Sequence, residues 1–279
     1  MSIQWPLVFF TLFVGLGCGT FIVTVLLTEW AGKEKQIRTF SSIIAIAALA
    51  VGGASSTLHL GHPERMFGAM AHPSSGIFME SMLSFLLGLA IVIYLLAIKR
   101  DASATVCKIL GSIGAVLAIA LAFVNGDAYV MPSIPAWNTL ILPALYLVSA
   151  AVMGCFCTGI LLARSANHDE AALTAIKKAA LLTLAIQTIL IIAYLVHIAV
   201  APYPDASRSI GRILAGGLAP IFWGGLVLIG LAVPVILMKK PETSSFPMTV
   251  NFGMACVLLA GIAFRVLMFS LGSSIKQFF

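Results

Sequence analysis

Eight apolar runs, each roughly 20 to 24 residues long, follow one another along a chain of 279 residues. An α-helix needs about that length to cross a hydrocarbon core roughly 30 Å thick. The runs cover residues 7–28, 41–60, 77–98, 105–124, 139–162, 178–200, 218–238 and 250–271. In lipid every backbone N–H and C=O must find its partner inside the protein, so only helices or a closed barrel can span. The runs lack the two-residue alternation of barrel strands. The predicted fold class is therefore an all-α integral membrane protein with eight transmembrane helices. Charged residues make up 9% of the chain, against about 25% in soluble domains, too few to cover a surface facing water. The connections are short, so residues 1–279 read as a single polytopic domain. The first run begins after six residues with no basic n-region or small-residue cleavage site, and reads as a retained helix.

The net charge is +6, but its distribution says more than its size. Lysine and arginine in short loops mark the cytoplasmic side. Connections after the odd-numbered runs hold eleven: Lys33, Lys35, Arg38, Lys99, Arg100, Lys108, Arg164, Lys177, Lys178, Lys239 and Lys240. The other side holds four: Arg65, Arg208, Arg212 and Lys276, with Arg265 inside the last run. Both termini are thus expected on the non-cytoplasmic side.

The five cysteines lie within or beside the runs and read as small residues packed between helices. No C-x-x-C series offers ligands for an iron–sulfur cluster, and no phosphate-binding glycine loop or metalloprotease motif occurs. No metal site and no nucleic-acid partner are expected of this chain.

An ionisable residue inside a bilayer is a candidate for function by default, because its charge is costly there. These candidates gather at the non-cytoplasmic ends of the runs: His59, Glu80, Asp127, His197 and Arg265. The cytoplasmic halves look nearly featureless, which predicts a site near one surface rather than a path across the membrane. His59 and Glu80 close and open consecutive antiparallel runs, so their side chains can approach one another. An imidazole and a partly desolvated carboxylate suit an acceptor and relay of protons. Plainer roles stand beside these: Glu80 paired with Arg265 as helix glue, His197 as a satisfied core histidine, Asp127 as a turn residue. His62, Glu64, Arg65 and His72 also read as a solvated loop.

"QWPLVFFTLFVGLGCGTFIV", "STLHLGHPERMF", "GIFMES", "PAWNTLILP" and the "LLAG" before Arg265 resemble the membrane-anchor subunits of anaerobic dimethyl sulfoxide reductases, the DmsC family. The resemblance is strongest in the first 80 residues. His62 stands where that family has a small residue. The family implies an anchor that oxidises menaquinol in the bacterial cytoplasmic (inner) membrane, in anaerobic respiration. Its partners are a four-cluster ferredoxin-like iron–sulfur subunit and a molybdopterin catalytic subunit, here expected on the periplasmic side. His59 and Glu80 match its quinol-site histidine and acid and are the catalytic candidates. Arg65 and Arg265 complete the quinol-binding set.

Menaquinol is then a substrate, no haem or metal is expected on this chain, and electrons leave for a centre in another subunit. A haem-bearing cytochrome b-like subunit, with His59 and His197 flanking one iron, is the first alternative. A small-solute transporter or a purely structural anchor is the second.

Overall fold

The computed structural model describes residues 3–57, 75–165, 169–201, 204–240 and 246–271. Among them are eight helices long and apolar enough to cross a membrane, and no strand. Helix α1 (Trp5–Val25) runs on through a wide, π-type turn, Leu26–Trp30. After it come α2 (Arg38–Thr57), α3 (Gly76–Lys99), α4 (Ala104–Asp127), α5 (Ile141–Ala163) and α6 (Glu170–Val200). The short helix α7 (Pro204–Leu214) precedes a wide-turned segment, Pro220–Ala232, that continues as α8 (Val233–Lys239), and α9 (Phe246–Ser270) closes the bundle.

Two differences from the sequence reading have physical causes. Helix α6 starts at Glu170 rather than near residue 178, because Asp169 caps it by accepting the Ala171 N–H at 2.9 Å. Hydropathy stops at the charged first turns, whereas helix propensity does not. The 201–217 connection contains α7, an amphipathic helix started by proline, where only a loop was expected.

One group of buried apolar side chains joins α1 to α2, α3 and α4; another joins it to α5, α6, α8 and α9. The seam is the crossing of α1 and α5. A Cβ on Gly19 would stand 1.7 Å from the Ala150 carbonyl oxygen, and one on Gly154 2.1 Å from that of Gly19. Without hydrophobic attraction between helices in lipid, such close backbone approach supplies the dispersion contacts that hold them.

Helix α3 is attached differently. Its buried residues are Leu87, Ile91 and Tyr94, one stripe at three- and four-residue spacing. Tyr94 fixes its inner end, donating to Glu29 Oε1 at 2.6 Å, and Arg38 Nη1 donates to the same oxygen at 3.1 Å. Glu29 is buried, so this half of the bundle is less featureless than its hydropathy suggests. Glu29→Ala would leave a buried guanidinium and phenol without their acceptor, and is expected to cost about 3 kcal/mol. Tyr94→Phe removes one charge-assisted bond, for about 1.5 kcal/mol. Thermal unfolding in detergent should rank the two in that order.

Candidate functional site

The candidate site lies at the end of the bundle where α1 begins and α9 finishes, here called the terminal end. Arg265 is its most buried charge, with no exposed surface. It sits between α9, α1 and α5, where Gly15 and Gly261 leave room: a Cβ at either would lie within 3.6 Å of the guanidinium. Its Nε donates to Thr11 Oγ1 at 2.6 Å, its Nη2 to the Thr11 carbonyl at 2.9 Å and its Nη1 to the Gly261 carbonyl at 3.0 Å. The guanidinium carbon lies 4.9 Å from the Tyr146 ring centroid, a cation–π distance. All three acceptors are neutral. Among the described residues Arg265 has no carboxylate within ion-pair distance, so the expected glue between Glu80 and Arg265 is not formed. Thr11, Gly261 and Tyr146 take that place.

Asn125, on α4, donates to the Thr11 carbonyl at 3.3 Å, and its buried Oδ1 has no partner among the described residues. An aromatic cluster stands beside this core. Tyr129 lies 5.7 Å from Trp137, 6.0 Å from Tyr146 and 5.7 Å from Phe269. Trp137 Nε1 donates to the Met268 carbonyl at 2.9 Å and the Tyr146 hydroxyl to Met268 Sδ at 3.3 Å. Burial first, then the nearby Tyr146 and Glu80, push the Tyr129 phenol well above its ordinary value, with Arg265 acting in the opposite sense. Glu80, Tyr129, Tyr146 and Arg265 thus share one electrostatic neighbourhood.

Glu80 is one turn inside the start of α3, and its position in the sequence explains where it points. Residues 80, 84, 87, 91 and 94 fall on one face of a 3.6-residue helix, and the last three are the buried stripe. Glu80 and Ser84 therefore continue the packing face of α3 toward the terminal end. Both are partly buried. No described residue forms a hydrogen bond or ion pair with the Glu80 carboxylate.

His59 and Arg65, and with them His62, Glu64 and His72, lie outside the described residues. His197 is half-buried, with Nε2 3.4 Å from the Pro135 carbonyl, as a histidine satisfied by a neighbouring segment would be. Asp127 ends α4, exposed, its carbonyl accepting the Val130 N–H at 2.8 Å. All five cysteines are buried and free. No group of three His, Cys, Asp or Glu side chains that could hold a metal ion occurs among the described residues. Thr11, Asn125, Tyr129, Tyr146 and Trp137 carried no signal in the sequence. Uncharged residues in apolar runs resemble their neighbours until the helices are packed.

Residues 1–273 match the family model described as polysulphide reductase, NrfD. The C subunit of the anaerobic dimethyl sulfoxide reductase of Haemophilus influenzae is 27% identical over 139 residues, 48% of this protein and 50% of that subunit. The match thus spans half the length of that curated relative. Among solved structures, bd oxidase from Geobacillus thermodenitrificans is similar in fold, with a TM-score of 0.67 at 15% identity. The likeness covers 97% of this protein and 86% of the oxidase subunit.

Proposed function

Because the chain belongs to the polysulphide reductase NrfD family, we propose that it is the membrane-anchor and quinol-oxidising subunit of a molybdoenzyme complex of the dimethyl sulfoxide reductase type. The observation that carries this reading is Glu80, an inward-facing carboxylate on a packing stripe with no described partner, close to two tyrosines and a buried arginine. The half-length similarity to a dimethyl sulfoxide reductase subunit supports the class of complex.

Oxidation of menaquinol releases two electrons and two protons. The hydroxyl is a poor reductant until a base takes its proton. In this reading His59 accepts the first proton and Glu80 holds the second hydroxyl and accepts its proton. Arg265 is fully enclosed and already bound to Thr11 and Gly261, so it acts on the site through Thr11 and Tyr146; Arg65 supplies a second cation. The electrons pass to a ferredoxin-like iron–sulfur subunit and on to the molybdopterin subunit, docked on the terminal end. That end is the periplasmic face of the bacterial inner membrane, in keeping with the lysine and arginine asymmetry. The protons leave on the same side.

The test is menaquinol oxidation by the assembled complex. Glu80→Gln keeps the shape and removes the base, so kcat/KM is expected to fall by roughly a hundredfold, with the subunits still co-purifying. His59→Ala should fall comparably. Unchanged turnover in both variants would overturn the assignment.

A further inference from the structure

We infer that a lateral opening between α2 and α3, level with Gly53 and Glu80, is the route by which a lipid-dissolved isoprenoid hydroquinone reaches the site. The inference rests on the quinol reading above and adds the path of access.

Both helices leave the bundle toward the terminal end. The buried residues of α2 are Ser41, Ser42, Ala45, Ala48 and Gly52, the last of them five residues before the helix ends. Those of α3 begin only at Leu87, eleven residues after the helix starts. Helix α2 packs along α1, α3 packs along α4, and the two touch each other only sparingly. The final residues of α2 read Gly-Gly-Ala-Ser-Ser-Thr, with no side chain larger than threonine. Earlier, α2 presents Phe40, Ile43 and Val51 outward. The small residues therefore mark a change at one end of the helix.

The packing stripe of α2 leads to the same place. Ile46 and Leu49 pack against the cluster that Leu83 of α3 also joins, and the next residue on that side is Gly53. A Cβ on Gly53 would meet nothing within 4 Å. Gly53 lies four residues from the end of α2 and Glu80 four residues from the start of α3. At 1.5 Å per residue both are about 6 Å deep. Open space on one helix thus stands level with the unpartnered carboxylate on the other.

Small residues alone would say little, but Glu80 defines the occupant. A phospholipid acyl tail offers a carboxylate no hydrogen bond, and an anionic headgroup is repelled by it. A neutral dihydroxy ring on a long apolar tail donates to the carboxylate and leaves its tail in lipid, as small-molecule sites combine apolar walls with a few polar anchors. A competing apolar cavity lies between α6, α7, the 220–232 segment and α9, lined by Tyr194, Ile213, Phe222, Leu226, Phe264 and Leu267. The Tyr194 hydroxyl donates to the Ala136 carbonyl at 2.8 Å, which leaves that cavity no free polar anchor.

The experiment compares Gly53→Phe, Gly53→Ala and Leu226→Phe in the assembled complex, with long-tailed menaquinol in liposomes. Filling the opening is expected to raise KM roughly tenfold with kcat nearly unchanged, the signature of lost ground-state access. Gly53→Ala and Leu226→Phe should leave KM within about twofold of the parent. If Leu226→Phe raises KM and Gly53→Phe does not, the route runs through the other cavity and the inference fails. If neither does while Glu80→Gln abolishes turnover, the opening fails but the site stands. If Glu80→Gln is also silent, the functional reading itself has failed. A photoreactive quinone on the unmodified complex guards against misfolded variants: label is expected on peptides covering residues 52–57 and 77–87, and label confined to α6 and α9 would refute the route.

Discussion

Replacing Gly154 by valine is expected to abolish the folded bundle, with no monodisperse species on size-exclusion chromatography and no recovery of the complex. A Cβ at that position would lie 2.1 Å from the Gly19 carbonyl oxygen and 2.9 Å from the Gly19 Cα. Both obstacles are backbone, so no rotamer change relieves them. Helices α1 and α5 would have to part by an ångström or more at the seam between the two groups of helices. Overpacking a core ordinarily costs about 1 to 3 kcal/mol, and a backbone clash between two central helices should exceed that range. Gly19→Val meets the Ala150 carbonyl at 1.7 Å and should fail in the same way. Gly88→Ala is the control. A Cβ there meets nothing within 4 Å, and alanine favours the helix by roughly 0.5 to 1 kcal/mol. A Gly154→Val protein that purified as a stable, active complex would refute the tight crossing.

The contrast between these glycines shows what could be read from the chain and what could not. The eight spans were legible because a bilayer fixes the length of an apolar run. The closing of α2 at small residues and the 80, 84, 87, 91, 94 stripe of α3 were legible as patterns too. Which face of each helix packs was not. Lipid is as apolar as a helix interior, so hydropathy does not separate the stripe that meets a neighbour from the surface that meets acyl tails. Gly19 and Gly88 look alike in sequence, yet one touches a backbone and the other open space. Glu29 was missed for a related reason: at the end of an apolar run it resembles an interfacial residue, and only Arg38 and Tyr94, brought from two other helices, make it buried. The partner of Arg265 was misjudged because an acid offers the most obvious match for a cation. The hydroxyl and carbonyl of Thr11, unremarkable in an apolar run, take that role instead.

Arg265 supports the second large prediction. Arg265→Met should keep the fold but lose most quinol oxidation. The residue is fully enclosed, and a charge in the middle of a span costs about 2.5 to 3.5 kcal/mol on insertion scales. Its hydrogen-bond partners are neutral, so its removal strands no opposite charge among the described residues. The Thr11 carbonyl keeps Asn125 as a donor, and the Thr11 hydroxyl still donates to the Val8 carbonyl at 3.3 Å. Methionine fills much of the same volume, so stability should change by no more than about 1 kcal/mol in either direction. Function should respond differently. Arg265 is the positive charge shared by Tyr146, Tyr129 and Glu80, and quinol oxidation places protons, and transiently charge, beside them. Without it, kcat is expected to fall by roughly tenfold to a hundredfold, while KM, set by the outer opening, stays near its parent value. Arg265→Lys keeps the charge but loses the planar fork that binds both Thr11 atoms and Gly261, and should fall between the two. The paired readouts separate the possible roles. A methionine variant that unfolds but turns over normally per folded complex would make Arg265 a structural pin. A folded, slow enzyme with lysine partly restoring the rate would make it the electrostatic support of the proton-accepting site.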